Sequence, residues 1–204
     1  MKEIIRPGLP APFFLRPLQT EDAGTAAALC DRFVGKNLYS EAELAALPSR
    51  PGQFFYLLYR DGLPSDAPVG YLYFLLTDLA GAAERTKLPE ERLLTLSPHL
   101  SPVGFLRSIG IDERFRGLGL SESLIAFALE RLAALSAELV LGACWKKGEA
   151  IPMDRTLRSL GFCYLADAPR LWYDIPALIC PHCGGRCRCD AAVYYKILEK
   201  EDRA

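Results

Sequence analysis

The chain lacks most of the features that would assign it by composition. It has only two histidines, and its 24 basic and 25 acidic residues nearly cancel to a net charge of −1. With no long run of either sign, there is no electrostatic footprint for nucleic acid or an anionic membrane surface. Apolar runs stop well short of the roughly 18 residues a membrane span needs. The opening Met-Lys-Glu-Ile-Ile-Arg-Pro has charges and a proline where a secretory leader would be apolar. Neither G-x-x-x-x-G-K-[ST] nor G-x-G-x-x-G occurs at its glycine-rich turn, so the two familiar nucleotide loops are not supported. These absences, with seven cysteines of which four crowd into residues 180–189, point to a reducing, cytoplasmic setting and a metal site rather than a disulfide framework.

What is present is an ordinary globular composition, half hydrophobic and 24% charged over 204 residues. It reads as an α/β (α+β) chain of one domain, 1–204, with 179–190 as a cysteine-rich insertion between the last two strands. Phe13–Pro17 reads as an edge strand, and Thr20 as the N-cap of a helix over Ala23–Phe33. Ser40 is placed to cap a short helix over Glu41–Leu47. Gln53–Arg60 and Val69–Thr77 read as an antiparallel hairpin. Residues 79–102 read as a loop with one helical turn and a gating task; His99, between two Ser-Pro pairs, reads as a solvated loop residue.

The centre of the chain is a strand over Val103–Ile111, a charged glycine-bearing turn, and a helix with Leu124, Phe127, Ala128, Leu132 and Leu135 on one face. The first helical turn exposes unpaired N–H groups at the positive end of the macrodipole. Gly117 and Gly119 leave the backbone approachable, and Arg114 and Arg116 add cationic donors. Such a turn suits an anion of the pyrophosphate kind. After it, Glu138–Trp145 reads as a strand, Pro152–Leu160 as a helix ended by Gly161, Phe162–Leu165 with Leu171–Ile175 as one interrupted strand, and Ala191–Leu198 as the final strand.

Arg114-Phe-Arg-Gly117-Leu-Gly119 resembles the [QR]-x-x-G-x-[GA] acetyl-CoA motif of the GNAT (Gcn5-related) N-acetyltransferases, with Arg114, Gly117 and Gly119 at its fixed positions. The ending Leu157-Arg-Ser-Leu-Gly-Phe162 and the order of elements are similar to that family over roughly residues 12–175 and the terminal strand. The resemblance implies a mixed central sheet with a splayed parallel strand pair, and transfer of an acetyl group from acetyl-CoA to an amine of a small molecule or protein. It implies that Ile109, Gly110 and Ile111 hold the pantetheine arm. The turn itself, Arg114 and Arg116, Gly117, Leu118, Gly119, Leu120 and Ser121, would hold the pyrophosphate. A homodimer is compatible with it. The same fold without turnover, a non-catalytic acyl-CoA-binding or metal-responsive regulatory module, is the alternative.

The sequence also departs from that family. Where many members place an acid tyrosine, this chain has Leu157, and where they place an asparagine it has Ala150. Asp112 and Glu113 are the candidate bases by proximity to the cofactor turn. Tyr164, Cys144 and Tyr173 are candidate replacements for the acid. In the insertion, the C-x-x-C pair Cys180 and Cys183 with Cys187 and Cys189 can supply four thiolates to one tetrahedral ion, structural Zn²⁺ being favoured. Free thiols, a redox pair, an iron–sulfur cluster, or His182 replacing one cysteine are the other readings. Cys30, Cys144 and Cys163 read as small core residues.

Overall fold

The structure is a computed structural model that describes residues 4–64, 67–96 and 102–198. His99 and its two Ser-Pro pairs lie outside, or only partly within, the described residues.

Seven strands form one mixed sheet: β1 (Phe13–Pro17), β2 (Gln53–Arg60), β3 (Gly70–Thr77), β4 (Val103–Ile111), β5 (Leu139–Trp145), β6 (Cys163–Ala168) and a last strand, Ala191–Ile197. Two short strands, β7 (Ile179–Cys180) and β8 (Gly185–Arg186), pair with each other in the cysteine-rich segment, which makes the last strand β9. The spatial order is β1-β2-β3-β4-β5-β9-β6. All neighbours are antiparallel except β4 and β5.

The central strands are apolar on both faces because helices cover both. Along β2 and β3, Phe55, Leu57, Tyr59, Tyr71, Tyr73 and Leu75 face a core shared with α1 (Ala23–Phe33), α2 (Glu41–Ala46), α3 (Leu79–Thr86) and α4 (Glu90–Leu94). The alternating residues Tyr56, Leu58, Leu72 and Phe74 face a second core with α5 (Leu120–Ala134) and α6 (Asp154–Ser159). The period of two thus sorts each strand between two cores. On α5, Leu124, Phe127, Ala128 and Leu132 are buried as expected, whereas Leu135 caps the helix and is 38% exposed.

Four local expectations are corrected. Thr20 does not cap α1: Gln19 caps a 3₁₀ turn, Thr20–Asp22, that runs into the helix, and the Thr20 hydroxyl donates to the Ala45 carbonyl. Ser40 does cap α2, in a reciprocal capping box with Glu43. Residues 79–96 hold two helices with Ala82 and Leu93 in the core, not a loop. Leu171–Ile175 is turn rather than strand, and Cys163 is exposed on β6 rather than packed inside.

The feature that positions everything else is the β4–β5 pair. It is hydrogen-bonded only over Val103↔Leu139 to Leu106↔Gly142. Next to it β4 bulges against β3: Tyr73 pairs with Ser108 and Phe74 with Leu106, leaving Arg107 as the extra residue. A bulge bends its strand and increases the twist, so β4 leaves β5 where the bulge begins. From Arg107 to Ile111 the β5-facing edge of β4 has no strand partner among the described residues.

Candidate functional site

Two cavities flank that unpaired edge. One, of about 660 Å³, lies over the β4–α5 turn and is lined by Ile109, Gly110, Ile111, Arg116, Gly117, Gly119, Leu120 and Ser121 together with residues of the α6 region. The other, of about 310 Å³ and mostly apolar, lies in the wedge between β4 and β5. Phe33, Ile109 and Met153 belong to both walls, so the cavities meet at the splay.

The larger cavity is built from backbone. Gly117 and Gly119 have φ of +77° and +75°, and a Cβ at either would meet nothing within 4 Å. Glycine is therefore required there by the left-handed backbone and not by crowding. Gly119 is the left-handed N-cap of the 15-residue α5, and Leu120, Ser121 and Glu122 of its first turn, where N–H groups lack intrahelical acceptors, line the cavity. Arg116 lines the opening, joined by Arg155 and Thr156 from α6. Arg155 is an addition to the expected set; it belongs to a helix remote in sequence, and no local pattern marks it. Of the residues expected here, Arg114 and Leu118 do not line the cavity. Arg114 is turned back on Asp112 in a bidentate pair, Nε to Oδ1 at 3.0 Å and Nη2 to Oδ2 at 2.9 Å, and Leu118 is 52% exposed.

Asp112 is only 2% exposed, ion-paired to both Arg114 and Arg32, and it caps the turn Glu113–Phe115. The Arg114 hydrogen bond holds its carboxyl down at about 2 against the effect of burial. A carboxylate so stabilised is a weak base, and it faces neither cavity. Glu113 lies in the same turn outside both. Tyr164 is 43% exposed on β6, packed edge-to-face on Tyr194, and Tyr173 lies under the Arg186 guanidinium, 3.9 Å from its ring centre. Neither reaches either cavity. Cys144 does line the wedge, where burial pushes its thiol up to about 12. Leu157 occupies the wedge wall and is buried. On the same helix, Asp154 Oδ1 accepts from the Tyr194 hydroxyl and from Arg158 Nε, the latter at 2.8 Å.

The wedge is lined by side chains from separate stretches of the chain. Phe33, Val34, Leu38 and Tyr39 come from the end of α1 and the loop after it, and Trp172 and Leu178 from the segment after β6. Its polar groups include Arg107, Ser108, Tyr39 and Tyr73; no carboxylate is among its lining residues. Tyr39 donates to Ser108 Oγ at 3.1 Å and its phenol is pushed by burial up to about 12.

Cys180 and Cys187, which line the same wedge, open onto the cysteine cluster behind it. The four sulfurs of Cys180, Cys183, Cys187 and Cys189 lie within 4.8 Å of one another, with Cys180–Cys189 at 3.8 Å and Cys183–Cys189 at 3.5 Å. Sulfurs about 2.3 Å from a tetrahedral zinc stand about 3.8 Å apart, so the donor set fits that ion. The Arg188 N–H donates to Cys183 Sγ at 3.4 Å and draws that thiol down. The buried Trp145 indole N–H, beside the cluster, has no hydrogen-bond partner among the described residues. His182 lies instead against Trp145, ring centres 5.3 Å apart. The cluster is fastened to the wedge by reciprocal hydrogen bonds between Lys36 and Ile179, 3.1 and 2.9 Å. A Cβ on Gly35 would come within 2.9 Å of Leu178, so this approach needs glycine.

No family model and no curated protein sequence matches the chain. Solved structures do. Arabidopsis thaliana NAA60 in complex with acetyl-CoA is similar with a TM-score of 0.69 at 11% identity, over 91% of this chain and 98% of that one. A GNAT-family acetyltransferase from Streptococcus pneumoniae gives 0.59 at 15% identity, over 92% and 99%. The ribosomal-protein-S18-alanine N-acetyltransferase of Escherichia coli gives 0.59 at 13%, over 92% and 94%. The chain has the fold of the GNAT acetyltransferases.

Proposed function

We propose that the protein is an acyl-CoA-dependent N-acetyltransferase, with the larger cavity holding acetyl-CoA and the wedge holding the amine. The observation that carries this reading is the junction of the two cavities at the unpaired edge of β4, with the first turn of α5 lining the larger one. Gly117 to Ser121 would take the diphosphate, with Arg116 and Arg155 beside it, and the edge of Ile109 to Ile111 would hydrogen-bond the pantetheine arm. Acetyl-CoA supplies an acetyl group on a thioester; what the protein supplies is position and environment.

In the overall exchange the amine nitrogen forms a bond to the acyl carbon, the carbon–sulfur bond breaks, and CoA leaves as the thiol with one proton released to water. Cys144 and Tyr39 are poor acids for the departing sulfur. Moving a proton from a group near 12 to a thiolate with an ordinary thiol pKa runs uphill by roughly 5 kcal/mol. The thiolate therefore leaves unassisted by these side chains. A lysine-like amine is neutral in only about one molecule in a thousand near pH 7.4. The apolar wedge, with Arg107 as its cation, disfavours an ammonium and so favours the free base in place of a carboxylate base.

The four cysteines would hold Zn²⁺ as a structural ion, all of its positions filled by protein. Leu157 at the acid position favours a second reading, an acyl-CoA-binding module without turnover. Release of free thiol from acetyl-CoA across a panel of amines separates the two. Amine-dependent release is expected; binding of CoA with no release from any amine would leave the module.

A further inference from the structure

Arg107 is the cation of the wedge, and its surroundings describe the acceptor. Among the described residues no carboxylate or carbonyl holds its guanidinium, which lies over the Tyr39 ring 5.7 Å from the centre. Arg50 and Arg85 are near enough that, with Arg107, they oppose the upward effect of burial on Tyr73. Glu43 is the carboxylate, among the described residues, that feels this group, and it is committed to Ser40, 2.7 Å from the backbone N–H and 2.8 Å from the hydroxyl. The polar end of the wedge is therefore positive, while Phe33, Leu106, Trp172 and Leu178 make the rest apolar and partly aromatic. A half-buried guanidinium in a fixed fork geometry is matched by a carboxylate. A lone ammonium entering the same space would meet like charge.

We infer that the acceptor is an amine that carries its own carboxylate and an apolar or aromatic body, an amino-acid-like molecule whose carboxylate sits on Arg107. The bulge that ejects Arg107 from the β3–β4 ladder is what turns this strand position into a specificity determinant. Ser108 and Tyr39 stand beside it as hydroxyl partners. With its carboxylate neutralised at Arg107, the amine lies in the apolar part of the wedge, toward Ile109 and Met153 where the donor cavity opens. This inference rests on the acyl-transfer reading for the direction of the amine, but the carboxylate site stands or falls without it.

The test compares L-phenylalanine with phenethylamine, the same amine without its carboxylate, and measures binding of 3-phenylpropionate by calorimetry. The expected kcat/KM for L-phenylalanine is at least tenfold that for phenethylamine. Arg107→Gln removes the difference and weakens 3-phenylpropionate at least tenfold, Arg107→Lys restores part of both, and the Kd for acetyl-CoA stays within twofold throughout. Equal or better use of phenethylamine, a preference that survives Arg107→Gln, or no binding of 3-phenylpropionate to the wild type overturns the inference. If 3-phenylpropionate binds in an Arg107-dependent way while acetyl-CoA does not bind and no amine reacts, the carboxylate site is upheld and the acyl-transfer reading fails.

Discussion

The two cavities that meet at β4 are made in opposite ways. The donor cavity is largely one continuous stretch, Ile109 to Glu122, whose working groups are backbone amides set by two left-handed glycines and a helix start. The wedge is a mosaic of side chains from α1, β3, β4, β5, α6 and the cysteine-rich segment, and it is held in shape by contacts between loops. Backbone sites are insensitive to most side-chain changes, whereas a side-chain site can be remade by loops. On the proposed reading, acceptor specificity would lie where the chain is most irregular, and acetyl-CoA binding where it is most regular.

If the four cysteines hold the proposed Zn²⁺, removing it should separate the two most strongly. Cys183→Ser, or prolonged chelation, is expected to lower the melting temperature by about 5–15 °C, several kcal/mol at this chain length. The larger kinetic effect should fall on acceptor KM, because Cys180, Pro181 and Cys187 wall the wedge and Ile179 ties it to Lys36. Equal loss of acetyl-CoA affinity, or an unchanged melting curve, would break the comparison. Gly119→Val is the converse change. It is expected to weaken acetyl-CoA about 30-fold or more, by straining the left-handed cap and covering the N–H groups, with acceptor-side binding unaltered.

Asp112→Asn tests the brace beneath the donor turn. It removes a charge-assisted pair from a buried site and should cost about 1–3 kcal/mol of stability, read from a denaturant midpoint. The sign with pH follows from its lowered carboxyl. The stabilisation is complete above the ordinary value of 3.8 and is lost as pH falls toward about 2, so the variant and wild type should converge in that window. The smallest effect is expected from Arg155→Ala, a three- to tenfold weakening of acetyl-CoA that shrinks as salt is raised.

Much of the fold and of the lining of the larger cavity is legible in the amino-acid sequence alone, and the reason is locality. The strand, turn and helix around Gly117 and Gly119 follow from residues adjacent in the chain, as does the C-x-x-C pairing of Cys180 with Cys183. Arg155 and Arg107 are not legible in that way. Arg155 reaches the larger cavity because α6 packs beside α5, and Arg107 is the extra residue of a bulge that no periodicity announces. Asp112 misleads for the converse reason: closeness in sequence to the cofactor turn suggests a base, but its local partner Arg114 holds it. Residues 79–96 read as a loop because their charged surface positions hide a small buried set, Ala82, Thr86 and Leu93, that anchors two short helices.

The most direct test of the donor site is the affinity of CoA against that of pantetheine, which keeps the arm and thiol but lacks the diphosphate and nucleotide. With the amides after Phe115 as the docking point for the diphosphate, CoA is expected to bind at least 100-fold more tightly, as one molecule per chain. Equal affinities, or no binding of CoA, would contradict it.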